Sequence, residues 1–320
     1  MTGAAEAEDT GRQRHFLSLR DVDDDVLRHL VDQSCRYAAA PGPVPGQPLA
    51  GRIVATYFRK TSTRTRAAFS VAAVHLGAAV LPLGPDDLQE NTGESRADTG
   101  RVLGAMVDAL VIRTAGPDAE LRDYAAQGRI PVINAMSAEE HPTQAVADLA
   151  TMRHHLGTLD GVRVLYLGEG NNTAAALALA LSRYKRTELH LRTPPGYGLA
   201  PDVLATAVDA ARNTGSVVEE QHDMNGLPAG VDVVYTTRWQ TTGTTKPTAD
   251  WRTVFAPFSV TSELMDEHPG ACFLHDLPAH RGEEVAAEVL DGARSLAFVQ
   301  AGFKLHSAKA VLEWCVADRP

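Results

Sequence analysis

Residues 61–66 read Thr-Ser-Thr-Arg-Thr-Arg, hydroxyls interleaved with guanidinium groups. A strand-like run at 52–57 precedes them and an alanine-rich, helix-like run at 67–73 follows. A chain that leaves a strand and enters a helix here aims unpaired backbone N–H groups at one point. That point lies at the positive end of the helix dipole, where an oxyanion is stabilised. Ser62, Thr63 and Thr65 add hydroxyls, and Arg64 adds a planar, two-pronged donor. The chemistry that suits such a turn is the grip of a phosphate group. Taken alone, the stretch also reads as a surface helix start with scattered arginines.

Other stretches carry groups of matching type. His141-Pro142-Thr143-Gln144 opens an amphipathic run, and the three-residue spacing of His141 and Gln144 sets both on one helix face. Arg113 ends the apolar run Val111-Ile112, so a strand would deliver a guanidinium at its carboxyl end. A histidine before a proline is more often structural; the company of Arg113 makes His141 a site candidate. His275-Asp276-Leu277-Pro278 places an imidazole next to a carboxylate ahead of a proline. Gly168-Glu169-Gly170-Asn171-Asn172 lacks the third glycine of a dinucleotide turn, so no nicotinamide cofactor is expected. The histidines, cysteines and acids show no clustered metal-ligand spacing.

Taken in chain order, these motifs resemble the aspartate/ornithine carbamoyltransferase family, its ornithine branch most closely. The likeness runs from about residue 15 to about residue 310. It implies transfer of a carbamoyl group from carbamoyl phosphate to a small amine or amino acid, with no cofactor and no metal. Attack on a carbonyl with phosphate leaving needs fixed positive charge and donors more than a covalent nucleophile. Carried over residue by residue, Ser62, Thr63, Arg64 and Thr65 hold the phosphate, and Arg113 spans phosphate and carbonyl. His141 donates to the carbonyl, Gln144 accepts from the carbamoyl amide, and Leu277 and Lys304 complete the donor site. Asn172 would take the carboxylate of an amino-acid acceptor. Gln89, within 88–95, resembles a segment that reaches into a neighbouring subunit's site, which implies a homotrimer with shared active sites.

The acceptor side departs from the ornithine branch. Where that branch carries Asp-x-Trp-x-Ser-Met-Gly, this chain has Thr237-Arg238-Trp239-Gln240-Thr241-Thr242-Gly243. The aspartate that would hold an α-amino group is Thr237 here, and losing a charge-assisted bond costs about 1.5–3 kcal/mol. Thr237-Arg238-x-Gln240 is similar to the Thr-Arg-x-Gln of the aspartate branch, whose arginine takes a substrate carboxylate; so short a match also arises by chance. Asp276 replaces a cysteine of the ornithine branch and adjoins His275, which is placed with the acceptor contacts. Facing a phosphorylated donor, its carboxylate calls for a compensating cation. Asp276 then either binds or deprotonates the incoming amine, or merely lines the pocket. Lys304 stands for an arginine, keeping charge without the fork. Arg64, Arg113, His141 and Asp276 form the expected catalytic set. The expected acceptor is an amine or amino acid other than plain ornithine, of specialised metabolism. Ordinary ornithine or aspartate carbamoylation and a catalytically silent paralogue that binds carbamoyl phosphate are the alternatives.

The elements that must position these groups are legible in outline. Helical spacing covers 21–40, and prolines and glycines at 41–46 end it. Strands at 52–57, 79–83, 109–113 and 131–134 alternate with helices at 67–73, 95–106 and 118–127. A long helix over 143–156 follows. Strands at 162–167, 188–192 and 231–236 then alternate with helices at 173–182 and 202–212. The alternation predicts an α/β protein: two doubly wound parallel-sheet domains joined by bridging helices. We divide them at 1–150, binding carbamoyl phosphate, and 151–320, binding the acceptor. By the resemblance, a final helix within 295–315 packs back on the first domain. The hydroxyl-rich stretch 241–247 reads equally as a plain connector or as a loop that closes over substrate.

With 320 residues, 44% hydrophobic and 22% charged, the chain has ample length for two cores. Its formal charge of -10 argues against nucleic acid and against an anionic membrane surface, so positive charge must be concentrated locally. Cys35, Cys272 and Cys315 are scattered and odd in number, which fits a reducing cytoplasm. Residues 1–10 are small and acidic, with no signal-peptide pattern, and no apolar run reaches membrane-span length.

Overall fold

The computed structural model describes residues 13–241, 244–247 and 249–317. The acidic opening at 1–10 and Thr242 and Gly243 of the acceptor stretch lie outside the described residues. Helix α1 (Asp24–Ala39) is capped by Asp23, which accepts from the Val26 N–H at 2.8 Å, and it buries Leu27, Leu30 and Val31. Then come β1 (Ile53–Phe58), α2 (Thr63–His75), β2 (Ala79–Leu83), α3 (Arg96–Leu103), β3 (Ala109–Arg113), α4 (Asp118–Ala125) and β4 (Val132–Met136). These strands form one parallel sheet in the order β2-β1-β3-β4.

Helix α5 (Pro142–Leu156) follows, with proline in its first turn and Gly157 beyond its end at φ 81°. After it come β5 (Arg163–Leu167), α6 (Asn172–Leu181), β6 (Glu188–Arg192), α7 (Pro201–Thr214), β7 (Val217–Gln221) and β8 (Val233–Thr236). The chain closes with α8 (Trp251–Phe255), α9 (Ser262–Glu267), β9 (Cys272–His275), α10 (Ala287–Leu290) and α11 (Ala297–Val316). The second sheet is also parallel, in the order β7-β6-β5-β8-β9. The α/β class with two parallel sheets and flanking helices is thus present as expected.

Helix α11 packs on α1, α2 and α5, although it follows the last strand of the second sheet. Tyr37 and Gln33 of α1 donate to Glu313 of α11 at 2.7 and 2.9 Å, and the Phe16 and Trp314 rings meet edge-on. Helices α5 and α11 are therefore the two rods between the sheets. Both sheets reverse their strand order at an inner strand, β1 in the first and β5 in the second. Crevices open beyond the carboxyl ends of strands at such switch points.

Candidate active site

The carboxyl ends of β1, β3, β5, β8 and β9 lead into a single cavity of about 340 Å³. On the first-sheet side, Ser62 is the N-cap of α2 and its side chain makes no capping bond. The first-turn N–H groups of α2 and the hydroxyls of Ser62 and Thr63 are left for a ligand. Phe58 and Arg113 are register partners at the ends of β1 and β3. Arg113 is buried and donates to Thr65 Oγ1 at 3.1 Å, while its Nε has no partner among the described residues. His141 is the N-cap of α5, and its backbone N–H donates to the Asn172 carbonyl at 3.2 Å, a tie between the two halves.

The second half supplies the opposing wall. Asn171 caps α6 by accepting from the N–H groups of Thr173 and Ala174. Its amide also donates to Thr237 Oγ1 at 3.0 Å and Thr241 Oγ1 at 3.1 Å. The Tyr166 hydroxyl contacts the same Thr237 oxygen at 3.0 Å. Thr173 donates to Asp276 Oδ2 at 3.0 Å. Asn172 turns its own amide onto the Ser137 carbonyl at 2.7 Å. Gly170 is a glycine because a Cβ would collide with the backbone at Gly198 and Leu199.

Charge is concentrated here against the overall sign. Arg64, Arg113, Arg238 and Lys304 line the cavity with Asp276. Burial draws Arg113 down to about 10 and Lys304 down to about 8. Both remain cationic at neutral pH. Burial, then the nearby Lys304 and Arg113 charges, hold His141 well below the usual histidine range, so its ring is a neutral donor. Arg64, Arg113 and Lys304 are the compensating cations that the Asp276 carboxylate calls for.

Of the donor residues expected from the sequence, Ser62, Thr63, Arg64, Thr65, Arg113, His141, Leu277 and Lys304 reach the cavity. Of the acceptor residues, Asn172, Thr237, Arg238, Gln240 and Asp276 do. Gln144 stands one layer behind, its amide donating to Asp148 at 2.6 Å and its carbonyl receiving Lys304. Gln89 is exposed on the short turn Gln89–Thr92 and does not line this chain's own cavity. His275 is fully buried and does not line it either. Its Nδ1 accepts from the Leu277 N–H at 2.8 Å and its Nε2 faces Glu284 at 3.2 Å. An acceptor nitrogen carries no proton, so its 3.6 Å approach to Asp276 is no ion pair. His275 shapes the turn that presents Asp276. Asn171 and Thr173 were missed; a polar residue before an alanine-rich helix was the N-cap signal that could have found Asn171.

Within the stretch 241–247, Thr241 and Lys246 are both anchored. Lys246 pairs with Glu169 and lies 4.8 Å from the ring centres of Tyr197 and Phe255. Thr241 donates to the other Glu169 oxygen at 3.2 Å. His280, Glu283 and Glu284 form the one group of described residues close enough to share a cation, and they lie outside the cavity. Glu284 there already accepts from His275 and from the His280 N–H. No described helix is long and apolar enough to cross a membrane.

Two parallel α/β units open their switch points onto one cation-lined cavity, an arrangement suited to a two-substrate group transferase. Sequence comparison gives the family. The carbamoyl-P binding domain of aspartate/ornithine carbamoyltransferases matches residues 14–154, and the Asp/Orn binding domain matches residues 160–315. An ornithine carbamoyltransferase from Methanothermobacter thermautotrophicus is 39% identical over 306 residues, 95% of this chain and 99% of its own. One from Anoxybacillus flavithermus is 42% identical over 93% of this chain and 95% of its own. The solved ornithine carbamoyltransferase of Pyrococcus furiosus superposes with a TM-score of 0.88 at 36% identity, covering 95% of this chain and 97% of that one. The chain belongs to the aspartate/ornithine carbamoyltransferase family, and its class of enzyme is the carbamoyltransferases.

Proposed function

We propose that this protein transfers the carbamoyl group of carbamoyl phosphate to the amino group of a small amino acid, with ornithine as first acceptor. The observation that carries the reading is the convergence of the α2 tip, Arg64, Arg113, neutral His141 and Lys304 on one cavity. Relatives that cover nearly its whole length and bear the ornithine name support that acceptor. The sequence expectation of a different acceptor takes second place on that ground. The donor is assigned to the part up to about residue 150 and the acceptor to the remainder.

In this reading the α2 tip and Arg64 hold the phosphoryl end, and Arg113 bridges phosphate and carbonyl. The His141 N–H stabilises the oxygen as charge builds on it, in a site where donors are fixed beforehand. The amine lone pair attacks the carbonyl carbon; the bond to the phosphate oxygen then breaks, and phosphate leaves with its electron pair. Asp276 accepts the amine proton, held in place by Thr173. Gln89 serves a neighbouring copy's cavity in a homotrimer, which sedimentation of the intact protein tests.

A second reading keeps the donor and changes the acceptor. Thr237 is neutral and already engaged by Asn171 and Tyr166, and Arg238 has a buried Nε without a partner among the described residues. Both favour an acceptor other than plain ornithine, one whose side chain brings a carboxylate to Arg238. Phosphate release with a panel of diamines, basic amino acids and acidic amino acids separates the readings. Highest turnover with ornithine supports the first, and highest turnover with an acidic acceptor overturns it. Donor binding by calorimetry with no acceptor turned over leaves a silent paralogue.

A further inference from the structure

Asp148 is fully buried on α5, one helical turn beyond Gln144, and no step above uses it. Its Oδ1 accepts from Gln144 Nε2 at 2.6 Å and from Gln300 Nε2 at 2.7 Å. Its Oδ2 accepts from the Tyr235 hydroxyl at 2.8 Å. A carboxylate can only accept, so both glutamines must turn their NH2 ends to it and their carbonyls away. The Gln144 carbonyl therefore faces Lys304, which can only donate. The Gln300 carbonyl faces the backbone N–H of His275 at 2.8 Å, the residue before Asp276. Asp148 belongs to α5, Gln300 and Lys304 to α11, Tyr235 to β8 and His275 to β9.

We propose that Asp148 is a positioning residue that sets the orientation of Gln144 and Lys304 on the donor wall and ties them to the turn carrying Asp276. One carboxylate thereby fixes the hydrogen-bond polarity of two amides, one facing Lys304 on the cavity wall and one facing the turn that carries Asp276. A buried acid without a cation in direct contact is costly unless fully hydrogen-bonded, and here three donors satisfy it.

Electrostatics agree with the geometry. Burial draws the Lys304 ammonium down, the Asp276 and Asp148 charges work the other way, and Arg113 and Arg64 add to the lowering. His141 faces the same ammonium from the start of α5 as a neutral ring. Burial lifts Asp148 to about 6, opposed by the Gln300 and Gln144 bonds, the Lys304 charge and the Tyr235 bond.

The role rests on the proposed donor site, but its test does not depend on turnover. Asp148→Asn keeps the shape, removes the charge and presents an N–H where only acceptors stood. With side-chain 13C-labelled lysine, the Lys304 resonance can be titrated against Lys60, Lys185, Lys246 and Lys309. In the folded variant its midpoint should fall by about one pH unit, matching about a tenfold loss of protonated Lys304 above the midpoint. The basic limb of the rate profile should move down with it. An unmoved midpoint in folded Asp148→Asn overturns the proposal. If that variant does not fold, Tyr235→Phe removes one donor and retains the ring. The Asp148 carboxyl midpoint, followed with side-chain 13C-labelled aspartate, should then rise, and an unmoved midpoint overturns the proposal instead. Failure of wild-type protein to bind carbamoyl phosphate would sink the functional reading, while the Lys304 titration still judges the positioning role.

Discussion

At the residue scale the donor wall is a set of fixed donors, and its members should fail differently. Arg113→Leu removes a buried fork that reaches Thr65 and lines the cavity. Donor affinity should weaken by about 1.5–3 kcal/mol, readable by calorimetry with carbamoyl phosphate. Asp276→Asn keeps the bond from Thr173 but cannot take a proton. If Asp276 is the base, kcat should drop by about 10²–10⁴ with little change in donor affinity. An unchanged kcat across pH would leave Asp276 as pocket lining. Arg64, Arg113 and His141 were legible in the sequence because each sits at the end of a strand or the start of a helix. His275 was not: a buried histidine that shapes a turn and one that meets substrate look alike until partners are seen. Gln144 was named from its spacing to His141, but it stands behind the cavity, and its orientation depends on Asp148, Lys304 and long-range packing that no local spacing encodes.

At the element scale, the helices with strong periodicity and the buried strands were read closely, and β2, β3 and β6 fall on the expected residues. β7 and β9 escaped. β7 is a sheet edge carrying Glu219 and Glu220, and its polar composition hides a strand paired with β6. β9 has four residues, too short for alternation to show. The loop at 241–247 is an element-scale question too. Lys246 is held there between Glu169 and the rings of Tyr197 and Phe255. Lys246→Met should raise the acceptor KM several-fold and leave donor binding unchanged, in steady-state kinetics paired with calorimetry.

At the scale of the whole molecule, an acidic protein gathers Arg64, Arg113, Arg238 and Lys304 around one cavity. Burial on folding depresses the Lys304 pKa from the ordinary lysine value of 10.5 to about 8, so the unfolded chain binds more protons between those values. For this group, stability rises as pH climbs from about 8 toward about 10.5. A bound dianion offsets the crowding where the ammonium is fully charged. Calorimetric melting should therefore show a larger upward shift at pH 7 than at pH 9 with sulfate, a tetrahedral dianion at both values, beyond the mass-action gain. An equal shift at both would place the lysine outside the ligand's field.

The α2 tip has one further effect. If it holds the phosphoryl end of the donor, as proposed, the same donors face the departing phosphate, so inorganic phosphate should compete with the donor for that berth, an outcome that product-inhibition kinetics checks.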